Sequence, residues 1–335
     1  MSAFARRLLV GALLSAVAAC APAHNEVVAY TSVDQVFSEP IFKEFERRTG
    51  IVVRVVYDTE ETKSTGVLNR LIAEGKNPQA DVFWSGDPVR PFLLVKRGLV
   101  APYASPTAAR IPPAFRAADG TWTGFAARAR VLLVNKDRIG DRERPTAVAE
   151  LADPRWRGQT AIANPLYGTT TMHAAALFAA WGDARAKAFF EGLKANDARI
   201  ASSNGEVKRL VASGDVIFGL TDTDDANEAL KDGAPVEVVF PDQDGAGTLL
   251  MPSTAVMIAR APHPDAARKL IDYLVSSDVE RRMAENAAHM PLGNDVDPPS
   301  GLKRSGEITT LAVDYARVAD EVERIEPWIR EWVGL

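Results

Sequence analysis

The feature that most constrains the fold of this chain is the alternation of short apolar strands with amphipathic helices over its first 125 residues. Strands are predicted at residues 27–30, 51–57 and 80–84, and each is followed by a segment whose apolar residues have helical spacing. The first of these helices is expected to end at Gly50, which readily adopts the left-handed conformation. Because strand–helix–strand repeats require crossover connections, the sequence predicts an α/β fold with a mainly parallel sheet.

The extended stretch at residues 126–135 is expected to carry the chain into a second lobe, because the strand–helix pattern restarts beyond it. At 335 residues the chain is about twice the length of an ordinary domain, which agrees with two lobes. The predicted organisation is lobe I at residues 27–127, lobe II at 128–240 and a return to lobe I at 241–300. Apolar residues at helical spacing predict that residues 301–335 form a helical segment packed across the lobes.

The composition is that of a folded protein and argues against several classes of function. Hydrophobic residues make up 47% and charged residues 25% of the chain, values that are typical of soluble globular proteins. The net charge of −5 and the lack of a densely basic segment in the sequence argue against nucleic-acid binding. The single cysteine, Cys20, leaves no intrachain disulfide and no zinc site built from several thiolates.

The N-terminus has the features of a secretory signal peptide. Residues 1–19 contain two arginines followed by an apolar run at residues 8–19, which is too short to span a bilayer as a helix. Residues 17–20 read Val-Ala-Ala-Cys and resemble a bacterial lipobox, which predicts a lipid anchor at Cys20, a linker at 20–26 and a periplasmic or cell-envelope location. The alternatives are an ordinary cleavage site at the same place and, from the paired arginines, twin-arginine export.

Polar loops follow the predicted strands of lobe I. Because the carboxyl ends of parallel strands meet at one edge of a sheet, these loops are expected to converge on one crevice. Short loops that leave buried strands have little freedom, so their hydroxyl and carboxylate groups are candidate ligands for a solute. The candidates are Thr31, Ser32, Asp34, Glu60 and Ser85. For Glu60 the commoner explanation is a solvated loop that leads into a capped helix.

A glycine and three threonines open a predicted helix in lobe II. Tyr167, Gly168, Thr169, Thr170 and Thr171 place free backbone N–H groups and hydroxyls at the positive end of that helix. This arrangement suits a phosphate, a phosphonate or a carboxylate, and the tyrosine would add an aromatic wall or a phenolic hydroxyl. The alternative is that Thr169 only caps the helix and the other hydroxyls lie on its surface.

An acidic cluster follows the predicted strand at residues 217–220. Thr221, Asp222 and Asp224 are candidates to coordinate a hard cation, to accept hydrogen bonds from sugar hydroxyls or to pair with an ammonium group. We expect Asp222 or Asp224 to face the crevice. The alternative is structural, because acidic residues favour a helix start and Asp225 has capping-box spacing to Glu228.

Catalytic motifs find little support in the sequence. The four histidines, at positions 24, 173, 263 and 289, are scattered, and no metalloprotease, nucleophile-elbow or glycine-rich phosphate-loop motif occurs. No resident cofactor is expected, and a binding function is favoured over an enzymatic one.

Four segments carry a resemblance to a known family. They read Val-Val-Ala-Tyr-Thr-Ser at residues 27–32, Phe-Glu-Arg-Arg-Thr-Gly at 45–50, Ala-Asp-Val-Phe-Trp-Ser-Gly-Asp at 80–87 and Lys-Arg-Gly-Leu-Val-Ala-Pro-Tyr at 96–103. Together they resemble the extracellular solute-binding proteins of ABC importers, most closely the family grouped with ferric-iron-binding proteins.

The resemblance implies a two-lobe periplasmic-binding-protein fold of type II, in which hinge crossovers let the lobes close on a solute. Such a protein is a monomer that delivers its solute to a membrane permease and its ATPase. It would contact the membrane only through its lipid anchor and would catalyse no reaction.

The resemblance breaks at the residues that would hold iron. Ferric-binding members use two adjacent tyrosines in a second-lobe loop, together with a first-lobe histidine and a carboxylate. Here that loop reads Leu-Thr-Asp-Thr-Asp-Asp at residues 220–225, and Asp34 stands where the histidine is expected. The family's anion-binding helix start is matched at residues 168–171. We therefore expect a small phosphonate or phosphorylated solute, held by residues 169–171, with Asp222 or Asp224 accepting its amine or hydroxyl groups.

Three other interpretations stay open from the sequence. The first is a protein that binds ferric iron or another hard cation through Asp34, Glu60, Asp222 and Asp224 with an exogenous anion. The second is a secreted hydrolase or transferase with paired carboxylates in the same crevice. The third is a periplasmic partner of a membrane sensor.

Overall fold

The structure, a computed structural model, describes residues 25–58, 66–140, 142–299 and 302–335. Among these residues, no helix combines the length and the apolar character needed to cross a bilayer. The predicted signal peptide, the predicted lipidation site Cys20 and the candidate ligand Glu60 lie outside the described residues.

The described strands and helices alternate along the chain. The strands are β1 (Glu26–Thr31), β2 (Val52–Tyr57), β3 (Val82–Ser85), β4 (Val100–Ala101), β5 (Thr123–Asn135), β6 (Thr160–Ala163), β7 (Arg199–Ala201), β8 (Phe218–Asp222), β9 (Val236–Val239) and β10 (Leu250–Ile258). The α-helices are α1 (Gln35–Thr49), α2 (Gly66–Ala73), α3 (Val89–Lys96), α4 (Lys136–Ile139), α5 (Gly168–Trp181), α6 (Asp183–Ala195), α7 (Asn204–Ala212), α8 (Thr223–Lys231), α9 (Pro264–Leu274), α10 (Ser277–Ala287) and α11 (Tyr315–Val333).

The ten strands are connected in the order β2-β1-β3-β10-β5-β8-β6-β7, with β4 beside β10 and β9 beside β5. Strand β5 belongs to both lobes: residues 123–129 pair with β10, whereas residues 130–134 pair with β8. The predicted parallel pairing is correct for β1 with β2 and β3, and for β6 with β7 and β8. Strands β5 and β10 pair antiparallel with their neighbours, because they connect the lobes instead of alternating with crossover helices. The molecule is a mixed α/β protein of two lobes.

Two element boundaries differ from the sequence expectation. Strand β8 extends through Thr221 to Asp222, so these two residues are strand residues and not the start of a loop. The long C-terminal helix begins at Tyr315 and not at residue 301, because the Asp314 side chain accepts hydrogen bonds from the backbone N–H groups of Ala316 and Arg317 and caps the helix there. By contrast, α1 ends as predicted at Gly50, where φ is 69° and the N–H donates to the Glu46 carbonyl at 2.8 Å.

Helix α11 packs against α3 and α5. Its contact with lobe II is aromatic: Trp328 lies 5.6 Å from Phe178 and 5.9 Å from Phe190, and Trp332 lies 5.3 Å from Phe190, between ring centroids. Edge-to-face pairs of this kind add to the apolar area that the helix buries. The tryptophans of α11 are therefore packing residues.

The shared strand contains an unusual backbone conformation at Ala126, whose φ is 44°. A left-handed conformation at a non-glycine residue costs about 1 to 2 kcal/mol, so the surroundings must hold it in place. The buried carboxylate of Glu280 accepts a hydrogen bond from the Ala126 N–H at 2.8 Å, and Nδ1 of His289 donates to the Ala126 carbonyl at 2.8 Å. Both sides of this residue are thus fixed to lobe I.

Candidate functional site

Two arginines on β5 lie where the lobes meet. Successive side chains of a strand alternate between its faces, so Arg128 and Arg130 share one face. Arg130 is completely buried, whereas 19% of the Arg128 side chain is exposed. The two guanidinium groups have different partners and are described in turn.

Arg130 is the centre of a buried arginine network that also contains His173, Thr169, Asn204 and Asp222. Its Nη1 donates to Asp222 Oδ1 at 2.6 Å and to Asn204 Oδ1 at 3.1 Å, and its Nε donates to His173 Nδ1 at 3.3 Å. Because Nδ1 accepts this bond, the imidazole is neutral. Burial and the neighbouring guanidinium lower the pKa of His173 to about 3.

The Thr169 hydroxyl is fully used within the buried arginine network. It donates to Asp222 Oδ2 at 2.7 Å and accepts from Asn204 Nδ2 at 2.8 Å and from Arg130 Nη1 at 3.2 Å. A hydroxyl has one proton and two lone pairs, so none is left for a solute. The Thr170 hydroxyl likewise donates to Asn204 Oδ1 at 3.3 Å. The hydroxyls of Thr169 and Thr170 thus join the helix start to Arg130 and Asn204 in the buried arginine network.

At the start of α5, other polar groups keep unused hydrogen-bonding capacity. Gly168 begins the helix with φ of 59°, and Tyr167 directly before it is 60% exposed. The Thr171 hydroxyl has no hydrogen-bond partner among the described residues, although its oxygen is buried. The backbone N–H groups of the first helical turn and this hydroxyl are therefore the donors that the helix start can offer.

Asp222 lies inside the network, and Asp224 lies outside it. Asp222 is 1% exposed, and both of its carboxylate oxygens accept hydrogen bonds. Burial would raise the pKa of Asp222, but Arg130 and Arg128 outweigh burial and hold it below the usual range. The Asp224 side chain is 25% exposed, and its Oδ1 has no partner among the described residues. Of the two carboxylates expected at the crevice, Asp224 is the one with a free oxygen.

Neighbouring carboxylates change the protonation of this segment. One carboxylate oxygen from each of Asp222, Asp224 and Asp225 lies within 4.8 Å of the other two. Burial and the nearby Asp222 carboxylate raise the pKa of Asp224, and burial with both other carboxylates raises the pKa of Asp225 to about 8. Thr221 is buried, and its hydroxyl lies 3.2 Å from Asp225 Oδ2.

Arg128 connects the lobes. Its Nη1 lies 3.4 Å from Asp222 Oδ2 and 3.5 Å from Asp224 Oδ2 in lobe II, and its Nη2 donates to the Gly86 carbonyl of lobe I at 2.8 Å. Its Nε has no partner among the described residues. The surrounding carboxylates outweigh burial and raise the pKa of Arg128 above its usual range. A permanently charged donor with an unused N–H thus stands between the lobes.

The hydroxyls of the lobe I candidates accept hydrogen bonds from backbone N–H groups of the lobe I loops. Thr31 accepts a hydrogen bond from the Val33 N–H at 3.0 Å, Ser32 accepts from the Gly86 N–H at 3.0 Å, and Ser85 accepts from the Asp87 N–H at 3.3 Å. All three side chains are buried. Asp34 is partly exposed before α1, and its charge acts on Arg128. These loops converge as expected, and their hydroxyls fix the loop shapes.

Sequence reasoning missed Arg128, Arg130 and Asn204. A signal was available for the arginines, because two charged residues interrupt an otherwise apolar run at residues 125–134. Charged side chains are seldom buried without partners, so such a strand predicts carboxylates nearby. Nothing in the local sequence singled out Asn204, which reaches the site only through the fold.

Comparisons with known proteins show the family of the chain. Residues 77–317 match the family model of bacterial extracellular solute-binding proteins. The chain is 30% identical to iron uptake protein A1 of Synechocystis sp. over 280 residues, which cover 80% of this chain and 76% of that protein. It is 27% identical to a putative 2-aminoethylphosphonate-binding periplasmic protein of Salmonella typhimurium, over 87% of this chain and 81% of that protein.

Solved structures show the same fold. The crystal structure of apo ferric ion-binding protein A from Pasteurella haemolytica superposes with a TM-score of 0.82 at 26% identity, and the match covers 92% of this chain and 98% of that one. The two-lobe architecture and the family match therefore support the family that the four sequence segments resemble. The chain belongs to the bacterial extracellular solute-binding proteins, the periplasmic components that collect solutes for ABC importers.

Proposed function

We propose that this protein captures a small phosphonate or phosphorylated solute between its lobes. The observation that carries the proposal is Arg128, whose side chain is 19% exposed, contacts both lobes and keeps a buried Nε–H without a partner among the described residues. Guanidinium groups and helix N-termini are the two protein features that best match phosphate-type oxygens. The Salmonella relative, named for 2-aminoethylphosphonate, supports the same class of solute.

The roles of the other residues follow from their exposure. The backbone of Gly168 and the side chain of Thr171 would complete the anion contact, with Tyr167 covering it. Asp224 would accept an amine or a hydroxyl of the solute through its free Oδ1. Thr169, Thr170 and Asp222 would act indirectly by holding Arg130 and the helix start.

The remaining parts of the proposal concern the protein's partners. The protein would be a monomer that is anchored at Cys20, delivers its solute to a permease with its ATPase and turns nothing over. Replacing Cys20 with alanine should release the protein from the membrane fraction without changing solute affinity. A variant that stays membrane-bound would contradict the anchor.

Iron is the second candidate solute, because the Synechocystis relative is named for iron uptake and three aspartates lie close together. Hard cations prefer carboxylate oxygens, so Asp224 and Asp225 would supply ligands together with an exogenous anion. Asp222 fits this role less well, since its oxygens are already bonded to Arg130 and Thr169.

The test is a calorimetric and thermal-shift panel on the mature protein without its lipid. The solutes are 2-aminoethylphosphonate, methylphosphonate, sugar phosphates, inorganic phosphate, and ferric iron with citrate. A solute at a hundred times its dissociation constant should stabilise the fold by about 2.7 kcal/mol. We expect binding of an organic phosphonate or phosphate, a loss of about tenfold or more in Arg128→Gln, and no loss in Arg330→Gln, an exposed arginine on α11. Binding that requires iron would replace the proposal with the second candidate.

A further inference from the structure

The start of α5 already has an anion next to it. A helix N-terminus attracts negative charge, and here the carboxylate of Asp222 accepts a hydrogen bond from the hydroxyl of Thr169, a residue of the first turn, at 2.7 Å. Asp222 is 1% exposed, so this charge is screened little by solvent. An external anion that approaches the helix start therefore meets a fixed negative charge.

Arg128, the group that would attract an anion most strongly, also has fixed negative charges next to it. Asp222 and Asp224 both lie within 3.5 Å of its Nη1. The buried arginine network adds one further positive charge, on Arg130, but its shortest ion pair, of 2.6 Å, is with the same Asp222. The two carboxylates Asp222 and Asp224 therefore balance the two arginines, so the segment offers an external anion no excess of positive charge.

We propose that Asp222 and Asp224 act as built-in counter-anions that select against inorganic phosphate and in favour of solutes that carry their own cationic group. This inference rests on the proposed function and narrows its solute class to zwitterions. An ammonium group would pair with Asp224, whose Oδ1 is free, and Arg128 would then turn its unused donor to the phosphonate. A simple anion has no cationic group to pair with Asp224, so it has to compete with both carboxylates for Arg128.

The experiment compares four proteins by calorimetry: wild type, Asp222→Asn, Asp224→Asn and the matched control Asp232→Asn. Asp232 is the exposed C-terminal cap of α8, so the control removes the same charge from the far end of the helix that begins at the site. The probes are inorganic phosphate, methylphosphonate and 2-aminoethylphosphonate. Melting curves confirm that each variant is folded.

Both site variants should bind inorganic phosphate and methylphosphonate about tenfold more tightly than wild type, the effect expected when one like charge is removed from a partly buried site. Asp224→Asn should also bind 2-aminoethylphosphonate about tenfold less tightly, because its partner for the ammonium is lost. Asp232→Asn should match wild type for all three probes. If Asp222→Asn does not fold, Asp224→Asn alone decides the outcome, since its side chain is partly exposed.

Two outcomes would overturn the inference: unchanged phosphate affinity in folded site variants, or a loss of affinity for all three probes in Asp224→Asn. Failure of the proposed function has a different signature, namely that wild-type protein binds no organic phosphonate or phosphate. The gain in phosphate affinity is measured against wild type and does not depend on that result.

Discussion

Arg128 and Arg130 stand two residues apart on one strand and face the same way, yet their surroundings differ. Around Arg130, each polar side chain bonds to another, and the guanidinium is fully buried. Around Arg128, the guanidinium is partly exposed, its Nε is unused, and Asp224 Oδ1 has no partner among the described residues. One region of the molecule is complete without a solute, and the other is not.

The contrast between the two arginines suggests that different residues of one site stabilise the fold and bind the solute. A fully bonded buried charge resists change, because removing one partner leaves the other uncompensated. Arg128 and Asp224 instead keep buried polar atoms without a partner among the described residues, and such atoms gain a hydrogen bond when a polar solute arrives. The residues that hold the site together are therefore not the residues that we expect to touch the solute.

The largest expected effect is on stability, from replacing Arg130. Arg130→Met leaves Asp222 buried without its strongest partner, so the free energy of unfolding should fall by about 3 to 5 kcal/mol. Arg128→Met should cost less, because its side chain is 19% exposed and its ion pairs of 3.4 and 3.5 Å are longer than the 2.6 Å pair of Arg130 with Asp222. Urea denaturation of both variants gives the two values. Equal losses of unfolding free energy in the two variants would contradict the different roles that we assign to Arg128 and Arg130.

A second expected effect is acid sensitivity that involves a buried histidine in each region. Burial, assisted by Arg130 and Arg128 respectively, lowers the pKa values of His173 and His289 to about 3, from 6.5 in the unfolded chain. Between these values the unfolded state binds more protons, so stability should fall with falling pH by up to about 1.4 kcal/mol per pH unit for each histidine.

Urea denaturation between pH 7 and pH 4.5 measures this slope. His173→Gln keeps a neutral polar side chain and should reduce the dependence of the unfolding free energy on pH by up to about 1.4 kcal/mol per pH unit. His289→Gln should have the same effect. A variant that keeps the wild-type slope would show that its histidine is not held neutral in the folded protein.

The smallest expected effect contrasts two threonines of the first turn of α5. Thr169→Val removes three hydrogen bonds, two of them to charged groups, and should lower the free energy of unfolding by about 2 kcal/mol. Thr171→Val removes a hydroxyl that has no partner among the described residues, so stability should hardly change while solute affinity falls. Melting curves and calorimetry on both variants decide. A stability loss in Thr171→Val with unchanged affinity would assign that hydroxyl to the fold.

Much of this arrangement could be predicted from the sequence, and the exceptions have physical reasons. The strand–helix alternation, the passage of β5 between lobes and the meeting of residues 31–34 with 85–87 follow from local patterns and from strand direction. The mixed direction of the sheet does not, because the pairing of β5 with β10 joins residues that are more than a hundred positions apart.

The direction of individual side chains was also beyond local patterns. A threonine-rich helix start looks like a set of donors for an anion, but whether Thr169 faces the crevice or Asp222 is decided by packing against β5 and β8. The proposed difference in role between Asp222 and Asp224 depends on the extension of β8 by two residues past Leu220, which no spacing rule predicts. The roles of the site residues in binding stay predictions that calorimetry with the named solutes tests.

Because Arg128 belongs to β5, which pairs with strands of both lobes, a solute bound to Arg128 would contact the connection between the lobes as well as their surfaces. Binding and lobe orientation are then linked thermodynamically, and the linkage is reciprocal: if a solute favours one orientation by a given factor, that orientation raises the solute's affinity by the same factor. A permease that recognises only one orientation would thereby change how tightly the protein holds its solute, even at a surface far from the solute itself.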